Sequence, residues 1–279
     1  MKNYYHLAKP GLVYGNLIPL IGAFFLASRG NIDWTLFFAA VIGLALVMAS
    51  GCVFNNYFDR DIDAVMGRTR ERALVTGRIS GRAALLYAWS LGVAGFLILL
   101  IFTDLLAFFA ALVGFIFYVG FYTLWSKRRS AWGTVVGTVA GAMPPVVGYM
   151  AVTDRFDGGA VLLFLILVFW QLAHFFAIGL HRRDDYVAAG IPILPVRQNA
   201  NITKSVMVAS IIAFVAVSVL LGLLEFASSF YTIAAAVFGA AWLLFGVFGF
   251  WSKHNTVWSR RMFMVSLVVL VLLFAAMVV

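Results

Sequence analysis

The chain has 279 residues, of which 64% are hydrophobic and only 11% charged, with a formal charge of +9. A mean hydropathy of +1.01 excludes a soluble domain, which would need a charged surface missing here, and places the chain in the polytopic membrane class. The basic residues are scattered in short stretches between apolar spans, so they fit orientation in a lipid bilayer and exclude nucleic acid as a partner.

A hydrocarbon core about 30 Å thick takes roughly 20 residues of helix. Stretches near 11–28, 34–58, 83–103, 105–125, 132–153, 161–181, 206–224, 229–251 and 262–279 approach that length and predict an all-α bundle of nine transmembrane helices in a single domain, 1–279. Lys2 and Lys9 precede the first span, which lacks a small-residue cleavage site and is expected to be retained rather than removed as a signal peptide. Only Thr103 and Asp104 separate the third span from the fourth, predicting a tight hairpin. The fifth carries Gly133, Gly137, Gly141 and Gly148 with Pro144 and Pro145, a pattern of close helix packing and a kink. The ninth reaches Val279 and predicts no soluble tail.

Of the 20 Lys and Arg residues, 18 fall before the first span or in the connections after even-numbered spans; only Arg29 and Arg155 lie on the other side. The positive-inside rule then places the N-terminus in the cytoplasm and the C-terminus opposite. Cys52, the single cysteine, allows no internal disulfide and no Cys-based zinc cluster, and reads as a buried bystander.

Two connections are unusually polar. The first leaves the second span as "ASGCVFNNYFDRDID", Ala49–Asp63. If the helix continues, Asn55, Asp59 and Asp63 are one turn apart and fall within about 80° of one another, with Asn56 bordering that face and Asp61 about 200° from Asp59. Two carboxylates and a carboxamide at this spacing suit a hard cation such as Mg2+, which takes its remaining ligands from substrate phosphates. Arg68, Arg70, Arg72, Arg78 and Arg82 follow, with forked donors matched to a diphosphate. The same residues read equally well as helix-capping acids paired with arginines in a solvated loop.

The second connection, Phe169–Val196, leaves the sixth span as "FWQLAHFFAIGLHRRDDYVAAGIPILPV". Gln171 and His174 share one face inside the apolar span, where polar groups usually line a cavity, although a lone histidine is more often a packing residue. Arg182, Arg183, Asp184 and Asp185 repeat the composition of the first loop, and Pro192 and Pro195 break the helix beyond them. If the spans bundle, both loops meet at one cytoplasmic mouth of a central cavity.

"NNYFDRDID" followed by "RTRERAL" resembles the signature of the UbiA-type intramembrane prenyltransferases. "KPG" at Lys9–Gly11, "GNLIP" at Gly15–Pro19, "GAMPPVVGY" at Gly141–Tyr149 and "RRDDYVAAGIPILPV" at Arg182–Val196 are similar to the haem-modifying branch of that family. Ala173 stands where that branch leads one to expect proline, and the second loop has adjacent Asp184 and Asp185 in place of the wider family's spaced aspartates. The resemblance implies transfer of a farnesyl group from farnesyl diphosphate to a vinyl group of haem B, with water addition, giving haem O and diphosphate. It implies Mg2+ on Asn55, Asp59 and Asp63, and the diphosphate held by Arg68, Arg72, Arg182 and Asn56. Asp185 would serve a second metal or orient those arginines, and His174 would be a haem ligand or propionate contact. It further implies a bacterial-type cytoplasmic membrane and association with haem-using or haem-oxidising membrane enzymes. The rival readings are prenylation of a quinone precursor or chlorin, a non-catalytic haem-carrying or assembly protein, and a transporter using Asp59 and Asp63 as an ion site. The transporter fits less well because such sites lie near the bilayer midplane.

Overall fold

Backbone in lipid must satisfy its N–H and C=O groups internally, which leaves helices or closed barrels. In the computed structural model, which describes residues 2–278, the chain takes the helical solution, with no strand among the described residues. The helices long and apolar enough to cross a membrane are α1 (Pro10–Ser28), α2 (Trp34–Phe58), α3 (Gly81–Phe102), α4 (Leu105–Arg129), α5 (Gly133–Thr153), α6 (Gly158–His181), α7 (Ala200–Leu223), α8 (Ser229–Trp251) and α9 (Asn255–Ala276). Val279, to which the sequence extends the ninth span, lies outside the described residues.

Helix starts follow side-chain caps more closely than hydropathy. Asp33, Ser80, Asp104, Asp157, Asn199 and Ser228 each accept a hydrogen bond from a first-turn N–H of α2, α3, α4, α6, α7 and α8. Asn199 therefore starts α7 six residues before the apolar run at 206, and the added turn includes Lys204. That lysine is buried, donates to the Gly249 carbonyl at 2.7 Å and lies over the Trp258 ring at 5.3 Å. α9 likewise begins seven residues before 262. α4 continues past 125 to Arg129 through a π-helical stretch, Phe117–Ser126, so that Tyr118, Tyr122, Thr123 and Lys127 come to the end of the bundle where α2 and α6 finish.

α2 packs on α3, α1 on α5 and α9, α5 on α4 and α6, and α6 on α7 and α9. Small residues set the closest approaches. A Cβ on Gly95 would stand 2.7 Å from the Gly43 carbonyl oxygen, and one on Gly148 would stand 2.3 Å from the Leu20 carbonyl oxygen, so backbones touch at both crossings. Pro144 and Pro145 stay inside the single helix α5. Six helices, α1, α2, α4, α5, α6 and α9, enclose a central apolar cavity of about 450 Å³.

Gly148→Val is expected to force α1 from α5 and destabilise the protein by about 1–3 kcal/mol or more. Gly120→Ala, where an added Cβ meets nothing within 4 Å, should leave thermal unfolding in detergent unchanged.

Candidate active site

The polar cluster is built where α2 stops. Asp59 departs from helical geometry (φ −91°, ψ 5°) and a short helix, Arg60–Val65, resumes beyond it. The one-turn spacing survives the break, because the Asp59 N–H donates to the Asn55 carbonyl at 2.9 Å and the Asp63 N–H to the Asp59 carbonyl at 2.8 Å. Asn55, Asp59 and Asp63 consequently share one buried side. The side chains of Asp59 and Asp63 are 1% and 5% exposed, whereas that of Asp61 is 62% exposed.

Buried carboxylates demand compensating charge, and cations reach the cluster from three separate segments. Lys127, at the end of α4, donates to Asp59 Oδ2 at 2.5 Å, and Arg128 Nη2 lies 3.7 Å from Asp59 Oδ1. Arg72, from the loop after the short helix, pairs with Asp63. Lys9 donates to Asn55 Oδ1, and burial pushes its ammonium down to about 8. Its backbone is left-handed (φ 51°), an uncommon conformation for a non-glycine residue and one often found at functional positions. The Asn55 amide nitrogen donates to Asp59 Oδ2 at 2.7 Å and to Thr123 Oγ1 at 3.0 Å. Outside this group, Arg128 grips Asp61 with two bonds of 2.6 and 2.7 Å, and that guanidinium holds the Asp61 carboxyl down to about 2.

The other residues singled out by sequence fall into different places. The Asn56 amide is committed to the Leu7 carbonyl at 2.7 Å, where it ties the segment leading to Lys9 against α2. Arg68 and Arg182 make no side-chain hydrogen bond or ion pair among the described residues and lie exposed beside the cluster's two loops. Those loops meet: Asp185 Oδ1 stands 3.6 Å from where a Gly67 Cβ would be. Tyr186 also feels the charges of Arg68, Lys127 and Asp185, and burial pushes its hydroxyl up. Arg78 is spent inside its own loop, on the Glu71 carbonyl and Thr76.

The central cavity begins one turn below the cluster. Gly51 and Cys52 on α2 and Tyr118 on α4 line it, each four residues before Asn55, Asn56 and Tyr122 and so on the same helix faces. Its far wall carries Trp170, Gln171 and His174 of α6 with Phe263 of α9. His174 stacks on Trp170 at 4.5 Å, and its Nδ1 lies 2.7 Å from Ser266 Oγ. Since the Ser266 hydroxyl donates its one proton to the Phe263 carbonyl at 2.6 Å, it accepts from His174, which puts the ring proton on Nδ1. His174 Nε2 then keeps its lone pair.

Lys9, Lys127 and Thr123 were not singled out by sequence reasoning. Lys9 was visible as a charge before the first span and as part of "KPG", and Lys127 only as one of the basic residues between the fourth and fifth spans; nothing in local spacing connects either to Asp59.

Residues 16–268 match the UbiA prenyltransferase family. A protoheme IX farnesyltransferase of Yersinia pseudotuberculosis serotype O:1b (strain IP 31758) is 45% identical over 268 residues, covering 96% of this chain and 91% of that protein. The chain belongs to the UbiA prenyltransferase family. It is therefore a transferase. A protoheme IX farnesyltransferase of Edwardsiella ictaluri (strain 93-146) is 46% identical over 96% of this chain and 90% of its own length. The enzyme also shares its fold with solved structures of low identity. A digeranylgeranylglyceryl phosphate synthase superposes with a TM-score of 0.81 at 18% identity, covering 99% and 98% of the two chains. A UbiA homolog from Archaeoglobus fulgidus bound to DMAPP and Mg2+ gives 0.75 at 17% identity, covering 99% of each.

Asp59→Asn and Asp63→Asn are each expected to lower prenyl transfer by orders of magnitude, as loss of charge stabilisation worth several kcal/mol does. Asp61→Asn, which removes only an exposed pair with Arg128, should cost less than tenfold. Steady-state rates of the three variants, compared at equal folded protein, check the distinction.

Proposed function

We propose that the enzyme transfers the farnesyl group of farnesyl diphosphate to a vinyl group of haem B, with addition of water, to give haem O and diphosphate. The observation that carries the proposal is the joining of two environments: a buried carboxylate pair with converging cations, set one helical turn above an apolar cavity whose far wall presents His174. The relatives named protoheme IX farnesyltransferase support haem as acceptor, and the Archaeoglobus fulgidus homolog bound to DMAPP and Mg2+ supports a prenyl diphosphate with a divalent metal.

The donor set fits Mg2+. Asp59 and Asp63 offer carboxylate oxygens on one side, and Asp59 Oδ1 is a buried oxygen with no hydrogen bond of its own; Asn55 turns its amide nitrogen to Asp59 and its oxygen to Lys9. When bound there, Mg2+ supplies Lewis-acid stabilisation of the diphosphate as it leaves. Lys9, Arg72 and Lys127 neutralise the site and stand ready for diphosphate oxygens, with Arg68 and Arg182 closing over it from the two loops. Asp185 orients that second loop against Gly67. Asn56 acts through position, by holding Leu7 and hence Lys9.

The farnesyl C1–O bond breaks with its electron pair leaving on diphosphate. The vinyl π electrons form the new C–C bond to C1, and water adds to the resulting carbocation on the porphyrin side chain, losing a proton. Apolar walls around Tyr118, Phe115 and Leu167 keep bulk water from the allylic cation until the carbon bond is made. His174 Nε2, the nitrogen that Ser266 leaves unprotonated, is the haem-iron ligand in this scheme. The basic end of the bundle faces the cytoplasm of a bacterial-type inner membrane, where the cavity opens to its substrates, and an enzyme that oxidises haem O is a natural neighbour.

Purified protein in detergent, supplied with farnesyl diphosphate, Mg2+ and haem B, should yield haem O detectable by mass spectrometry. Turnover of a phenolic acceptor with no haem product would overturn the proposal.

A further inference from the structure

At the end of the bundle that carries the two loops, α6 and α9 open a second pocket, polar and about 330 Å³ in volume. His181, Arg183, Asp184, Gln198, Asn255 and Thr256 are on its walls. His181 follows His174 by seven residues and Thr256 precedes Phe263 by seven. At 3.6 residues per turn, each pair returns to within about 20° of one direction, about 10 Å apart along its helix. The pocket therefore lies two turns further along the faces of α6 and α9 that carry His174 and Phe263 into the cavity wall, and it shares no lining residue with that cavity.

The walls hold more donors than the protein uses. Arg183, an exposed residue, donates from Nε to the Pro195 carbonyl at 3.1 Å; its two terminal nitrogens have no hydrogen bond and no carboxylate partner among the described residues. The side-chain amides of Gln198 and Asn255 are also without partners there. His181 Nδ1 lies 3.3 Å from the Thr256 carbonyl, an acceptor only, so that nitrogen carries a proton. α9 begins with no side-chain cap from His254, and its first intrahelical bond is made by Trp258, leaving the preceding N–H groups at the positive end of a 22-residue helix. Asp184 is the one acid on the walls and does not pair with Arg183. A guanidinium fork with free amide donors beside it matches a carboxylate.

We propose that this pocket binds the propionate carboxylates of the tetrapyrrole acceptor, with Arg183 and Asn255 as its specificity-determining residues. The proposal rests on the haem reading of function. Carboxylates held at this polar end of α6 and α9 leave the rest of the macrocycle beside His174 and its vinyl-bearing edge in the apolar cavity shared with α2 and α4. A tetrapyrrole with esterified propionates would keep the iron contact and lose this anchor.

The test is a Soret-band titration of the detergent-purified protein with haem B and with its dimethyl ester. Wild type should prefer the diacid by about tenfold or more. Arg183→Gln, and independently Asn255→Asp, should reduce that preference to near unity with the ester's affinity unchanged, which also shows that the cavity remains folded. Asp184→Asn should raise the preference. Equal affinity for diacid and ester in wild type, or a preference that survives both variants, would overturn the proposal while leaving haem as substrate. Failure of wild type to bind either form would overturn the haem reading and this inference together. Loss of bound phosphatidylglycerol from Arg183→Gln by native mass spectrometry, with the preference for the diacid intact, would instead make the pocket a lipid-phosphate site and sink the proposal.

Discussion

Asp59 and Asp63 sit buried at the end of an apolar helix, and the rest of the architecture is arranged around the need to compensate them. A buried carboxylate without a partner costs several kcal/mol. Lys9 from before α1, Arg72 from the loop after α2, and Lys127 from the end of α4 converge on the cluster. None of these segments neighbours another in sequence, so the electrostatic requirement of one short stretch pins the ends of α1, α2 and α4 together. The π-helical turn of α4 and the left-handed backbone at Lys9 are local irregularities that deliver a cation to this point.

The cluster and the cavity divide the chemistry by polarity. In the proposed reaction the diphosphate belongs with the cations and carboxylates and the prenyl chain with the apolar walls; a bundle with this polar cluster at one end supplies both within one helical turn. Small residues make the division possible. Gly148 lets α1 touch α5, and Gly141 leaves room for the Gln171 side chain to reach the Thr138 and Leu167 carbonyls. The cavity wall thereby keeps a polar side chain at membrane depth with its amide satisfied.

Much of the fold was legible from hydropathy alone, because lipid permits so few ways of satisfying the backbone. The boundaries that differ do so for a physical reason. Asn199 and Lys204 lengthen α7 by capping and by burial against Gly249 and Trp258, effects to which an average over apolar residues is blind. The face shared by Asn55, Asp59 and Asp63 was readable from their spacing, since periodicity is local. Asn56 borders the same face, yet its amide serves the Leu7 carbonyl, a partner 49 residues away that spacing could not reveal.

By itself the sequence determined that the chain is a helical membrane bundle with most of its basic residues at one end and oxygen-bearing side chains one turn apart, because hydropathy and helical period act over neighbouring residues. Motif resemblance pointed to the family. Only the tertiary structure decided which cations stand against which carboxylates, which His174 nitrogen is left free by Ser266, and that a pocket of unspent donors lies two turns beyond that histidine on α6 and α9. Those outcomes depend on contacts between segments far apart in the chain, and such contacts exist only once the helices have packed.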